Sequence, residues 1–408
     1  MNTGSESDLA GVRVVAALNG LELFGHERGN IEVFKALRRE GAEVTVGINA
    51  RDHGGDVGRE LARLGFETFL IPFNPQWSLQ FLKKHPRMIV SNPWAVARCS
   101  ARFRRVLRRR RATHVHLGSP LAYSYVSAAL ATTSIPLIYR MGDNPPLGSR
   151  FNLAIWNMAM RRATRVVAIS EFVRRAAIDA GVAGQKIETI YNTAPSRGGE
   201  APAAGDERPV GRIVYVGAVS EEKGLIPLVE AVAALSRETP QIRLDVVGGS
   251  AWDGSFRRHL RERIGELGIA DRVVFHGHVD DPAPFFRAAS VHVAPSICAE
   301  GLGNVVIEAK QQSTPSVVFP SGGLPEMIHH GVDGYICPEP SAGALVEALR
   351  WMLAEPVRLT AMGAAARASS ESKFGEARFT RQWAVVYGAR VRAEAGDPRV
   401  QERSLVGN

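Results

Sequence analysis

Short apolar runs alternate with segments of helical periodicity along most of the chain. Residues 12–18 have the β-branched content and length of a buried strand, and the apolar positions from Ile31 to Leu37 recur at helical spacing. We expect a loop over residues 20–29 before that helix, and Gly41 is placed to end the helix. Repeated alternation with wholly apolar strands predicts an α/β fold, in which helices cover both faces of parallel sheets.

The alternation runs through two series, separated by a stretch without periodicity. Residues 195–210 are rich in Pro, Gly and Ala, which is the composition of a linker. Predicted strands of the first series lie at residues 12–18, 43–48, 68–71, 113–117, 137–140, 165–169 and 187–190, the sixth followed by a helix capped by Ser170. Those of the second lie at 213–216, 244–247, 273–275, 291–294, 316–319 and near Tyr335, with helices at 225–235, 256–267, 285–288 and 342–353.

We therefore expect two Rossmann-like domains joined by a linker and facing each other across a cleft. The predicted bounds are 1–194 for the first domain, 195–210 for the linker and 211–370 for the second domain. A further helix is predicted within 371–394, and a frayed tail within 395–408.

The stretch PSICAEGLGNVVIE, residues 295–308, follows a predicted buried strand and opens a helix. A glycine-rich loop at a helix start leaves backbone N–H groups unpaired, and the helix dipole adds positive charge, so this corner can seat phosphate. Glu308, on the helix, can accept hydrogen bonds from the vicinal hydroxyls of a ribose, and Glu300 can face a further polar group. Together these features suit a sugar nucleotide. The alternative is that both glutamates are solvated and the glycines only turn the chain.

Residues 295–337 resemble the donor site of the family 4 retaining glycosyltransferases of GT-B fold, whose hallmark is two glutamates in an EGxG...E...TP context. The matching residues are Glu300, Gly301, Gly303, Glu308, Thr314 and Pro315, then Gly322, Gly323, Pro325 and Glu326, then Gly331 and Gly334. The resemblance extends more weakly over almost the whole chain. It implies the GT-B fold, with a last helix, carrying Phe379, Trp383 and Tyr387, that crosses back onto the first domain.

The resemblance also assigns site residues. Lys223, in GAVSEEKGL, would place an ammonium on the diphosphate, and Glu300 would hold the sugar hydroxyls, so these two are the predicted catalytic residues. The predicted donor-binding residues are Gly301, Leu302, Gly303, Asn304, Val305, Glu308, Gly217, His278 and Val279. The first strand-helix loop would contain Gly25, His26, Glu27 and Arg28, and relatives place this loop against the acceptor or phosphate.

Two positions depart from the family pattern. Ala218 stands where relatives usually have arginine, so either Arg28 or Arg140 supplies the missing charge or stabilisation of the diphosphate is weaker. Gly142 stands where the family often has a histidine near the transferred sugar. Asp143 beside it can face the cleft or serve only as a turn residue before Asn144 and Pro145.

Composition adds a charge argument. The net charge is +9, and much of the excess lies in residues 98–111, where an amphipathic helix would expose Arg98, Arg102, Arg105, Arg108 and Arg109. Such a helix favours an anionic membrane surface, or it is simply solvated. A nucleic acid is a weaker expectation, because no aromatic platforms or usual binding modules occur. The N-terminal residues lack a secretory signal, so we expect a cytoplasmic location, at the inner membrane face if the helix binds lipid.

No metal or cofactor is expected. The sequence contains no Asp-x-Asp pair to bridge a diphosphate through a metal, and its three cysteines, Cys99, Cys298 and Cys337, lie far apart. The leading hypothesis is metal-independent, retaining transfer of a sugar from a UDP- or GDP-sugar to a hydroxyl acceptor, such as a lipid-linked or polysaccharide intermediate of cell-envelope assembly. The alternative is a scaffold that binds nucleotide sugars without transfer.

Overall fold

The structure, a computed structural model, describes residues 9–73, 87–194, 210–249 and 254–388, with the backbone alone at 52 and 87–93. It contains two sheets in which every pairing between strands is parallel. The first sheet has seven strands and the second has six. Two Rossmann-like α/β domains are therefore present, as the sequence predicted.

The first sheet lies in the order β3-β2-β1-β4-β5-β6-β7. Its strands are β1 (Arg13–Ala17), β2 (Glu43–Asn49), β3 (Glu67–Ile71), β4 (His114–Leu117), β5 (Leu137–Met141), β6 (Arg165–Ala168) and β7 (Ile187–Thr189). The helices are α1 (Gly25–Arg39), α2 (Gly55–Arg63), α3 (Arg87–Arg109), α4 (Pro120–Leu130), α5 (Arg150–Arg162) and α6 (Glu171–Asp179), with 3-10 turns at Arg51–Gly54 and Gly184–Lys186. The strand order reverses between β1 and β4.

The second sheet lies in the order β10-β9-β8-β11-β12-β13. Its strands are β8 (Arg212–Val216), β9 (Arg243–Val247), β10 (Val273–Gly277), β11 (Val291–Ala294), β12 (Ser316–Val318) and β13 (Gly334–Ile336). The helices are α7 (Leu225–Leu235), α8 (Ser255–Glu266), α9 (Ala283–Ala288), α10 (Asn304–Gln311), α11 (Ala342–Leu353), α12 (Pro356–Phe374) and α13 (Glu376–Val386), with 3-10 turns at Glu221–Lys223 and Leu324–Met327. Here the order reverses between β8 and β11.

The last described helix, α13, packs on the first domain. Phe379, Trp383 and Tyr387 are buried in one hydrophobic cluster with residues of β1, β2 and α1. The Tyr387 hydroxyl lies 2.7 Å from Nδ1 of His116 in β4. The crossing helix implied by the resemblance is therefore present.

Three local differences from the sequence prediction appear. Residues 25–29 form the first turns of α1 rather than a loop, because the buried amide of Asn30 bonds to the His26 carbonyl and to His116 and so extends the helix towards its N-terminus. The helix predicted within 371–394 begins at Glu376, because residues up to Phe374 belong to α12. Helix α5 and most of helix α12 lie in segments where no helix was predicted.

The boundaries of the domains stay a prediction. The predicted linker lies almost wholly in residues 195–209, and the tail lies in 389–408, both outside the described residues. Within the described part of the chain, no helix is both long and apolar enough to cross a bilayer.

Candidate functional site

A cavity of about 460 Å³ lies between the two domains. Its walls are the segments that follow β1, β5, β6 and β7 of the first sheet and β8 and β11 of the second. These are carboxyl ends of parallel strands on both sides, close to the point where each strand order reverses, which is where open α/β sheets bind ligands. The fold therefore creates one crevice with two different walls.

The glycine-rich corner forms one edge of the cavity. Strand β11 is wholly buried, and the loop after it enters α10 through Gly303 at φ +99°. L side chains rarely adopt this backbone conformation, so the position favours glycine, and a Cβ there would also displace Cδ2 of Leu324, 2.4 Å away. Among the described residues, the N–H groups of Gly303, Asn304 and Val305 find no hydrogen-bond acceptor. They lie at the corner where the sequence predicted a phosphate seat, and that role stays a prediction.

Glu300 and Lys223 meet at the centre of this wall. The Lys223 ammonium lies 2.5 Å from Oε1 of Glu300, and the Ser296 hydroxyl donates to the same oxygen. Each charged side chain is about three-quarters buried, with 25% and 23% of its surface exposed. Burial alone would lower the pKa of Lys223, but the charge of Glu300 and its hydrogen bond outweigh this and raise that pKa. The ammonium therefore stays charged in the cleft.

The loop after β8 fixes the position of Lys223. Gly224 has φ +71°, and a Cβ there would lie 1.8 Å from the Pro295 carbonyl oxygen. The turn carrying Lys223 is thus pressed against the start of the glycine-rich loop. Gly217, also predicted, lines the cavity, and the exposed methyl of Ala218 lies beside it.

Glu308 lies outside this cavity. It lines a small depression with Pro282, Ala283 and Phe286, next to the loop that follows β10. His278, with 71% of its side chain exposed, and Val279, which packs on a small core cluster, belong to that loop. The structure thus places Glu308 and Val279 near Phe286, at one end of the corner, and Glu300 with Lys223 at the other.

The first domain supplies the opposite wall. Asp143 lines the cavity, where burial of its carboxyl raises its pKa; the charge of Arg140 lowers that pKa and that of Glu300 raises it further. Arg140 also lines the cavity, but its guanidinium is held by the side chain of Asn192 and the carbonyl of His26. Gly25 is at the rim. Arg28 is not part of the lining, and its Nε donates to the Leu23 carbonyl.

The sequence placed His26 in the loop predicted to face the acceptor or phosphate, but gave its side chain no role of its own. Its ring lies between Gly118 and Gly142, where added Cβ atoms would be 2.9 Å from Nε2 and 2.7 Å from Nδ1. Burial and the charge of Arg140 lower the pKa of His26 to about 3, so the imidazole is neutral. Neither ring nitrogen has a partner among the described residues, and Nδ1 is buried. The sequence feature that could have indicated space for this ring is a glycine directly after each of the neighbouring strands β4 and β5, namely Gly118 and Gly142.

The arrangement suits charge separation. One wall presents an ammonium and free N–H groups, which can hold phosphates, and the other presents a carboxylate and a neutral imidazole, which can hold hydroxyl groups. Among the described residues, no group of three or more His, Cys, Asp or Glu side chains is placed to hold a metal ion.

Comparison with known proteins matches both domains to family models. The model "Glycosyl transferases group 1" matches residues 206–369, and the "Glycosyl transferase 4-like domain" matches residues 25–193. Together they cover most of the chain.

Curated relatives match only part of the chain. A D-inositol 3-phosphate glycosyltransferase from Streptomyces griseus is 37% identical over 166 residues, which are 39% of this chain and 35% of the relative. A GDP-mannose-dependent alpha-(1-6)-phosphatidylinositol monomannoside mannosyltransferase from Mycolicibacterium smegmatis is 34% identical over 169 residues, which are 40% of this chain and 43% of the relative. The match thus spans less than half the length of either relative.

Solved structures match the whole fold. A glycosyltransferase from Rickettsia africae superposes with a TM-score of 0.76 at 18% identity, covering 92% of this chain and 97% of the other. HepE from Anabaena, solved in complex with UDP and glucose, gives a TM-score of 0.74 at 20% identity, covering 93% of this chain and 100% of the other. These likenesses establish the shared fold.

Proposed function

Because the chain belongs to the family 4, or group 1, glycosyltransferases of GT-B fold, we propose that it transfers a sugar from a UDP- or GDP-sugar to a hydroxyl acceptor. We further propose that transfer retains the anomeric configuration and needs no metal. The observation that carries the proposal is the cleft itself, where Lys223 and Glu300 face Asp143 and His26 across one cavity. HepE, which shares the fold and was solved in complex with UDP and glucose, supports a nucleotide-sugar donor.

The donor would lie along the glycine-rich corner. Glu308 would accept hydrogen bonds from the ribose, with the base near His278 and Val279, and the diphosphate would lie on the N–H groups of Gly303–Val305. The sugar would then extend into the cavity towards Glu300. This order follows from the positions of Glu308 and Glu300 at opposite ends of the corner.

Catalysis would come from charge stabilisation in the transition state. Negative charge develops on the departing diphosphate, and Lys223 with the N–H groups of α10 would stabilise it. The ammonium has three donors, so it can hold a phosphate oxygen while it still bonds to Glu300. In the same-face attack implied by the family, the departing phosphate takes the acceptor proton. Asp143 and His26 would orient hydroxyl groups at the opposite wall.

We propose that the acceptor is a lipid-linked or polysaccharide intermediate of envelope assembly. The curated relatives, one of which is a phosphatidylinositol monomannoside mannosyltransferase, support an acceptor of this class. Arg98, Arg102, Arg105, Arg108 and Arg109 are exposed on α3, while Cys99, Phe103 and Leu107 of that helix are buried. The exposed arginines would hold the enzyme at an anionic membrane, on its cytoplasmic face.

A second candidate is a nucleotide-sugar-binding scaffold without transfer. It is favoured by Ala218, which stands where relatives usually have arginine. Among the described residues that line the cavity, Lys223 and Arg140 are the basic side chains that could bind the diphosphate, and Arg140 already bonds to Asn192 and to the His26 carbonyl. Weak stabilisation of the diphosphate would then leave binding intact and transfer slow. Turnover of a bound donor separates the two candidates.

Calorimetric titration with UDP and with GDP tests the donor site. The wild type should bind one of the two, and Glu308→Gln should bind it about 10- to 100-fold more weakly, because a charge-assisted contact to the ribose is lost. Glu339→Gln, at an exposed glutamate outside the cavity, is the matched control and should bind like the wild type. Failure of the wild type to bind either nucleotide would refute the donor site.

A further inference from the structure

One glutamate of the second domain bonds directly to the first domain. Glu326 lies in the 3-10 turn Leu324–Met327, and its Oε2 accepts from the N–H of Glu171 at 2.8 Å, while its Oε1 accepts from the N–H of Phe172 at 2.6 Å. Both donors belong to the first turn of α6, in the other domain. The carboxylate therefore makes a two-point contact across the domain boundary, next to the cavity.

The contact completes the cap of α6. The third N–H of that helix, from Val173, bonds to Oγ of Ser170, and the Ser170 hydroxyl itself donates to the Gly301 carbonyl at 2.6 Å. A helix start has N–H groups without internal partners and carries partial positive charge. Here a carboxylate from the second domain satisfies two of these groups, so separation of the domains would leave both them and the carboxylate to water.

Two further side chains, those of Tyr191 and Lys373, bond to Glu326. The Tyr191 hydroxyl, just after β7, donates to Oε2 at 2.9 Å, and burial together with this hydrogen bond raises the pKa of Tyr191. Lys373 of α12 donates to the Glu326 carbonyl at 2.8 Å, and its ammonium lies 4.8 Å from the centre of the Tyr191 ring. Glu326 thus accepts three hydrogen bonds from two separate segments of the first domain.

The turn that carries Glu326 is packed against the backbone of Glu300. The N–H of Gly323 donates to the Glu300 carbonyl at 2.8 Å, and a Cβ on Gly322 would lie 2.1 Å from that same oxygen. A Cβ on Gly323 would lie 2.6 Å from the Gly301 carbonyl oxygen. Because these backbone segments are in close contact, a shift of the turn that carries Glu326 would also move the loop that carries Glu300.

We propose that Glu326 is a positioning residue, which holds the first domain closed against the donor corner and thereby sets Glu300 opposite Asp143 and His26. This inference rests on the proposed function for its effect on transfer, but the contact itself can be tested independently. The groups proposed to bind the nucleotide all lie in the second domain, so loss of the contact should spare nucleotide binding. It should lower transfer, which needs both walls.

Glu326→Gln tests the proposal because the amide keeps the size of the side chain but places an NH₂ group against one of the two N–H donors. Small-angle X-ray scattering should show a larger radius of gyration for the variant than for the wild type, both with saturating nucleotide. Nucleotide affinity should stay within about twofold, and kcat/KM for transfer should fall at least about tenfold, as loss of a charge-assisted contact predicts. Tyr191→Phe should produce a smaller change in the same direction, and Glu339→Gln none.

Scattering curves of Glu326→Gln and wild type that superpose would overturn the proposal, whatever the kinetics. An equal loss of nucleotide affinity and transfer would overturn it too, because Glu326 would then only support the fold of the donor corner. If the wild type bound nucleotide without turnover, the proposed transfer would fail, while the scattering comparison would still decide whether Glu326 closes the cleft.

Discussion

Lys223 and Glu300, the central pair of the cleft, show how far the sequence alone predicts a site residue. Lys223 and Glu300 could be named from the sequence, each with its own role, although they are 77 positions apart. Their direct contact depends on β8 and β11 being neighbours, which the order of strands along the chain does not dictate. The position of the His26 ring could not be predicted for a related reason, since the space for the ring is created by two glycines that follow other strands.

Two core histidines predict how stability depends on pH. His116 and His292 are fully buried, and burial lowers the pKa of each to about 3. Nε2 of His116 faces Oδ1 of Asn30, an acceptor, so Nε2 carries the proton and Nδ1 accepts from Tyr387, which fits the neutral ring. Below about pH 6.5 the unfolded chain takes up protons at these residues and the folded chain does not.

The unfolding free energy should therefore fall with acidification between about pH 6.5 and pH 3, by roughly 1.4 kcal/mol per pH unit for each histidine. Urea unfolding at a series of pH values measures this slope. His292→Gln should reduce it, and His259→Gln, at an exposed histidine, should leave it unchanged. A His292→Gln slope equal to that of the wild type would show that His292 is not a source of acid sensitivity.

At the scale of helices and strands, prediction succeeded where apolar periodicity is strong and bounded. The predicted bounds 225–235, 291–294 and 342–353 agree with α7, β11 and α11. Helix α5 was missed because apolar residues such as Met158 lie on its exposed side and blur the pattern. The N-terminal turn of α1 was missed because buried Asn30 is polar, so its burial is invisible to a hydrophobic pattern.

Helix α13 should contribute to the stability of the first domain. Trp383 is 1% exposed and packs against Phe379 and Tyr387 and against His116 of β4. Trp383→Ala removes the largest side chain of this contact and should cost about 3 to 5 kcal/mol of unfolding free energy. Denaturant unfolding measures the loss.

Val385→Ala, on the exposed side of the same helix, is the matched control and should stay within about 0.5 kcal/mol of the wild type. Equal small effects of the two substitutions would mean that α13 is not anchored through Trp383.

For the whole molecule, the sequence predicted two facing domains and the cleft, but not the contacts that join them. The sequence identified Glu326 as part of a motif, whereas the hydrogen bonds of Glu326 to α6 can be seen only once both domains are folded and in contact. The location of surface charge was predicted better than the contacts between the domains, because the exposure of the arginines on α3 follows directly from the amphipathic spacing of that helix.

Membrane attachment can be measured by sedimentation with vesicles that contain anionic phosphatidylglycerol, compared with neutral vesicles. Replacement of Arg98, Arg102 and Arg105 with Gln should weaken binding at least about tenfold, since each basic residue near an anionic surface contributes about 1 kcal/mol. Replacement of the exposed Arg237, Arg258 and Arg261 removes the same charge from the second domain and should have little effect. Equal weakening by both sets would indicate that net charge, rather than α3, attracts the protein to lipid.

Donor turnover is the most direct test of the central claim that this cleft catalyses transfer of a sugar. Release of nucleoside diphosphate from UDP- and GDP-sugars should be followed with a chelator present, for wild type and for Lys223→Met. We predict release from one donor class by the wild type, undiminished by the chelator, and a rate about 10²- to 10³-fold lower in the variant, because the departing diphosphate loses its cation. A wild type that binds the donor but releases nothing with any hydroxyl acceptor, or that matches Lys223→Met, would contradict the account.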